Sequence, residues 1–136
     1  MDALDLLRGF AAGFAATAAM VAVQALAWAL WGRPAVFEWQ EAEVGAERLL
    51  GRRSLRAALV LHFLVGGVVG VAFALGVGAF PVAPAIALGP VLGFAMWVIT
   101  LVIHEPVTGV PARGIGASVS LVGHLVYGSV LGLGAA

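Results

Sequence analysis

Four apolar stretches occupy most of a chain of 136 residues, at 6–31, 55–78, 84–104 and 115–135. An α-helix needs about 20 apolar residues to cross the hydrocarbon core of a bilayer. Lipid offers no partner to backbone N–H and C=O groups, so a segment that spans it must satisfy those groups within itself, as a helix does. The boundaries carry helix signals as well. Gly32-Arg33-Pro34 ends the first stretch, Ser54 stands as an N-cap before the second, and Glu105-Pro106 stops the third. Phe80-Pro81-Val82-Ala83-Pro84 reads as a short uncharged turn between the second and third. The fold class expected is all-α: a polytopic membrane four-helix bundle forming a single transmembrane domain over residues 1–136.

Composition agrees with that reading and removes several function classes. The chain is 62% hydrophobic and 10% charged, with a mean hydropathy of +1.09, whereas soluble domains carry about a quarter charged residues. Lysine is absent and the formal net charge is zero, so nothing points to nucleic acid. The lack of cysteine removes disulfides, thiolate metal sites and cysteine nucleophiles. Asp2 and Asp5 make the N-terminus acidic where a cleaved signal peptide would be basic. Arg33, Arg48, Arg52, Arg53 and Arg56 flank the first loop and Arg113 lies in the third, against Arg8 alone at the other end. The positive-inside rule therefore places both arginine-bearing loops in the cytoplasm and both termini outside.

The first loop holds Glu38, Glu41, Glu43 and Glu47 early, and Arg48, Arg52 and Arg53 late. That order complements a helix macrodipole. With Val36, Phe37, Val44 and Leu49 as an apolar stripe and Trp39 at the headgroups, the segment is expected to form a short interfacial helix between spans one and two. The competing reading folds its carboxylates over a site.

The spans resemble one another in pairs. Spans one and three share Gly-x-x-x-Gly-Phe-Ala, at Gly9-Gly13 and Gly89-Gly93. Spans two and four share His-x-x-x-Gly-x-x-x-Gly, at His62-Gly66-Gly70 and His124-Gly128-Gly132. Two helical hairpins related by a pseudo-two-fold axis along the membrane normal would carry such a repeat. Glycines at i, i+4 and i+8 leave a groove that admits a neighbouring backbone, and close packing is their ordinary role in lipid.

A polar layer follows from the helical rise. Gln24 and His62 each lie roughly 10 Å, and His124 roughly 13 Å, inside the arginine-rich boundary. Thr100 and His104 on span three and Tyr127 on span four approach the same zone. The candidate site is thus a polar cluster of Gln24, His62, Thr100, His104, His124 and Tyr127. Three readings stay open. The first is polar glue between helices. The second is a cofactor site in which His62 and His124 ligate haem or a metal, Gly66 and Gly128 leaving room for a porphyrin edge. The third is a path for a small solute or for protons, acting as an oligomer. His104-Glu105 reads as an exposed helix end rather than an acid–base pair. No catalytic residue is assigned and no enzyme activity is expected; both aspartates fall at the far end of the bundle.

Leu7-Arg8-Gly9 with Ala12-Gly13 and Ala16-Thr17, His62-Phe63 with Gly66, Gly89-x-x-x-Gly93-x-x-x-Trp97, and His124-Leu125-Val126-Tyr127-Gly128-Ser129-Val130-Leu131-Gly132 together resemble small four-helix inner-membrane proteins of bacteria related to YagU-like proteins. The glutamate- and arginine-rich first loop departs from that pattern. The resemblance implies a four-helix membrane fold and a bacterial inner-membrane location, and implies no activity. The expected role is a structural or accessory membrane component. Its partners would be the bilayer and either a second copy of the chain or a larger membrane complex.

Overall fold

The structure is a computed structural model that describes residues 3–78 and 85–134. The turn expected at Phe80 to Pro84 lies outside the described residues, as do the first two and last two positions. Helix α1 runs Ala3–Trp31, α2 Phe37–Leu50, α3 Leu55–Gly78, α4 Ala85–Thr108 and α5 Ile115–Gly134. A single 3-10 turn, Arg33–Ala35, joins α1 to α2. Helices α1, α3, α4 and α5 are each long and apolar enough to cross a membrane. Their outward faces are aliphatic: Val68, Val91, Val102 and Leu133 all stand exposed, as lipid-facing side chains would.

Two boundaries differ from expectation. Helix α1 begins at Ala3 rather than residue 6. Helix α4 does not stop at Glu105-Pro106; it continues through Pro106 to Thr108 and ends where the Gly109 N–H reaches the Glu105 carbonyl at 2.8 Å. One proline removes one intrahelical bond, and the helix runs on for two residues before Gly109, at φ +74°, ends it. The start of α3 is as expected, with Ser54 Oγ accepting the Ala57 N–H at 3.3 Å.

The helices pair as α1 with α3 and α4 with α5, and glycines set both pairings. A Cβ added to Gly13 would overlap the Gly66 carbonyl, and one added to Gly70 would overlap that of Gly9. In the second pair Gly89 meets the Gly128 carbonyl and Gly93 that of His124. Backbone thus lies on backbone in each pair, the close approach that drives helix association in lipid. The registers are not equivalent. Matching Gly9-Gly13 to Gly89-Gly93 sets Gly66 against His124, whereas the shared histidine motif matches Gly66 to Gly128. One pair is slipped by a helical turn relative to the sequence repeat.

A two-fold axis would also equate the α1–α5 seam with the α3–α4 seam, and these differ. Helices α1 and α5 pack closely, Gly123 against Met20 and Gly134 against Ala12, around a core of Ala16, Met20, Tyr127 and Leu131. Among the described residues no comparable contact joins α3 to α4; α2 packs against both instead. The bundle is closed on three sides and bridged by α2 on the fourth.

The expected short helix between spans one and two is α2, and it packs its polar face onto the end of the bundle. Gly32, at φ +75°, reverses the chain, and Ala35 and Val36 are fully buried beneath it. Phe37, Glu38, Trp39, Glu43 and Val44 face inward, and Trp39 packs on Trp28 with ring centroids 5.2 Å apart. Trp39 is therefore in the core rather than among headgroups. Leu49, expected in the apolar stripe, is 72% exposed. The polar face turns inward because the bundle end beneath it presents Gln24, Ser120 and two histidines.

Candidate functional site

The unclosed α3–α4 seam holds a cavity of about 410 Å³. Leu61, Val65 and Val69 of α3 face Met96, Ile99 and Ile103 of α4 across it. Thr17 of α1 and Tyr127 and His124 of α5 line the cavity opposite the seam, and α2 contributes Glu38 and Glu41. Val65 and Ile99 are each at least half exposed, so the opening faces the lipid side of the bundle.

Glu38 organises the buried end. Its Oε2 accepts the Gln24 amide N–H at 2.9 Å, and its Oε1 accepts the Ser120 hydroxyl. Trp39 Nε1 donates to the other end of the same amide, Gln24 Oε1, at 2.8 Å. Gln24 and Glu38 are 0% and 5% exposed, and a carboxylate so placed is tolerated only with its acceptor sites filled. His124 Nδ1 lies 2.9 Å from the Ser120 carbonyl and 3.4 Å from Glu38 Oε1. Both neighbours are acceptors, so the network assigns a proton to Nδ1.

Glu41, one turn further along α2, meets His104. Its Oε1 is 2.9 Å from His104 Nδ1, and the imidazole stacks on Phe37 at 3.9 Å between centroids. Burial, with a smaller contribution from the charge on Glu38, pushes the Glu41 carboxyl up to about 8. At neutral pH it is therefore protonated, and Oε1 and Nδ1 share a hydrogen bond whose donor is set by the imidazole tautomer. Its second oxygen makes no hydrogen bond among the described residues, and Glu41 borders the cavity. His104 is fully buried, which corrects the expectation of an exposed helix end; its neighbour Glu105 is the exposed one. The acid that reaches His104 comes from α2.

His62 lines the same cavity, and its Nε2 is buried without a hydrogen-bond partner. Tyr127 crosses from α5 to α3 and donates to the Gly66 carbonyl at 2.7 Å. Of the six residues singled out from the sequence, His62, Thr100, His124 and Tyr127 border the cavity. Gln24 and His104 stand one contact behind it, through Glu38 and Glu41. Sequence reasoning missed Ser120 as a member and reached Glu38 and Glu41 only in the competing reading, in which the first loop folds its carboxylates over a site. Ser120 sits one turn before His124 on the same face, and Glu38 and Glu41 share a face of α2 at i, i+3; those spacings were the available signals.

The porphyrin reading loses its geometric support. Gly66 and Gly128 were expected to leave room for a ring edge, but Thr17 fills the space over the first and the Gly89 backbone that over the second. Among the described residues no group of three His, Asp or Glu side chains is placed to hold a metal ion.

A family model described as a family of unknown function, DUF6789, matches residues 3–136. No curated protein and no solved structure matches the chain.

Proposed function

The chain belongs to DUF6789, and we propose that it is a non-enzymatic, accessory membrane component that binds a small amphiphile taken up from the bilayer through the α3–α4 seam. The cavity carries this reading: apolar walls open toward lipid, and polar groups converge at its inner end. A single alkyl chain fits between Val65, Val69, Met96 and Ile99, while the head group meets His62, Thr100, His124 and Glu41. Polar glue alone accounts for Glu38, which is fully satisfied, but not for the unpartnered Nε2 of His62.

The proposed setting is the bacterial inner membrane, in keeping with the YagU-like resemblance. Helix α2 and the six arginines at its end of the bundle face the cytoplasm, and both termini face outside. A second copy of the chain or a larger complex would complete the assembly.

The test uses purified protein in lipid nanodiscs and a series of single-chain amphiphiles with a twelve-carbon tail. Saturable binding of at least one member, weakened about tenfold or more by Val69→Trp, is the expected result, since a filled cavity removes about 1.4 kcal/mol or more of contact. Non-saturable partitioning, the same in both variants, would refute the reading. An absorption spectrum of the same preparation decides the haem alternative: a Soret band lost in His62→Ala and His124→Ala would restore it.

A further inference from the structure

Resting on the amphiphile reading, we propose that the head group bound in this cavity is a protonated primary amine, held by Glu41 Oε2 with His62 Nε2 and the Thr100 hydroxyl as further acceptors.

The sign of the site follows from what faces it. Glu38 and Glu41 come from α2, His62 from α3, His104 from α4 behind Glu41, and His124 and Tyr127 from α5; α1 contributes no titratable group. Among the described residues no arginine lines the cavity. Arg33, on the turn that leads into α2, is bound to Glu43. A phosphate or carboxylate head would enter a place with two carboxyl groups and no fixed cation to receive it.

The polarity of the hydrogen bonds narrows the class further. Tyr127 spends its O–H on the Gly66 carbonyl, and the Nδ1–H of His124 is spent on Ser120. What remains at the cavity is acceptor-rich: Glu41 Oε2, the unpartnered His62 Nε2 and the hydroxyl oxygen of Thr100. An ammonium carries three N–H donors and no acceptor, which is the complement of that set. A quaternary ammonium has the charge without the donors, and an alcohol has one donor without the charge.

Occupancy is coupled to one proton. Glu41 is neutral when the cavity holds no cation, because burial raises its carboxyl. An arriving ammonium stabilises the carboxylate, so the Glu41 proton leaves for solvent as the cation enters, His104 in its Nδ1–H tautomer donates to Oε1, and the charge of the buried site is conserved.

The experiment compares dodecylamine, dodecyltrimethylammonium, dodecanol and dodecanoate on the full chain in nanodiscs of neutral lipid, by calorimetry in two buffers of different ionisation enthalpy. The amine is expected to bind at least about tenfold tighter than the other three, with release of about one proton, and to fall to the alcohol's affinity in Glu41→Gln. Thr100→Val, which keeps the carboxylate, should weaken the amine and leave the quaternary ammonium unchanged. Tightest binding of the alcohol, the quaternary ammonium or the acid would overturn the amine assignment while leaving the cavity reading intact. Absence of saturable binding by all four would defeat the cavity reading itself. Equal amine affinity in wild type and Glu41→Gln would remove Glu41 from the site.

Discussion

Glu41 and His104 are 63 residues apart in the chain and 2.9 Å apart in the fold, one on the bridging helix and the other inside α4. Their hydrogen bond, with the Phe37 stack beside it, is where α2 is held against the far side of the open seam. The pair is neutral because burial keeps the carboxyl protonated, and that gives it a pH signature.

Glu41 has its carboxyl raised from 4.5 to about 8 on folding. A group whose folded value is raised contributes stability that is complete below the unfolded value and is lost as pH climbs to the folded one. Thermal unfolding should therefore show stability falling between about pH 4.5 and 8 and levelling above that. Glu41→Gln keeps the shape and removes the titration, so its midpoint should be flatter across the same window. An unchanged slope in the variant would show that another group titrates there.

The amine should bind more weakly as pH falls below the Glu41 value, since it competes with a proton for one oxygen. For a carboxyl near 8, linkage gives about a hundredfold weaker amine binding at pH 6 than at pH 9. Dodecanol binding should stay level over that range. A parallel fall for both would point to loss of the fold rather than to competition.

Gly128→Ala places a methyl group on the Gly89 carbonyl, and no flexible side chain stands there to yield. The α4–α5 pair must separate, at a cost of about 1–3 kcal/mol. Gly76→Ala on α3 meets nothing within 4 Å and should leave the unfolding midpoint within experimental error. Equal effects would mean that glycine content, rather than backbone contact, sets the pairing.

Tyr127→Phe removes the hydroxyl that joins α5 to the Gly66 carbonyl of α3 at 2.7 Å. The carbonyl sits within α3, so the loss should be modest, about 1 kcal/mol. Glu38→Ala should cost more, about 3 kcal/mol, because it leaves the Gln24 amide and the Ser120 hydroxyl without their acceptor in a buried layer. Chemical denaturation of the detergent-solubilised protein ranks the two.

The membrane helices were legible because 20 consecutive apolar residues admit few alternatives in lipid. Their pairing was legible from glycine spacing, since a face without side chains invites a backbone. Helix α2 was not. Its residues have the composition of a solvated or headgroup helix, and nothing local to Glu38 or Glu41 announces that Gln24, Ser120 and His104 wait in the folded bundle. The inward turn is decided by partners from three other helices, and no pattern within residues 37–50 carries that information. His104 was misplaced for the same reason: beside Glu105 and Pro106 it reads as a helix end, and only α2 buries it.

The one-turn slip between the two hairpins has a consequence for the histidines they share. Gly93 seats itself on the carbonyl of His124, so that residue is clamped at the crossing point of its pair, with Ser120 and Glu38 steering its ring. His62 stands a turn clear of the corresponding crossing at Gly66, and its ring is fixed by no such tether. Twins in the alphabet have become a strut and a loose end. Transplanting either half onto the other would rebuild the walls and lose the division of labour between them.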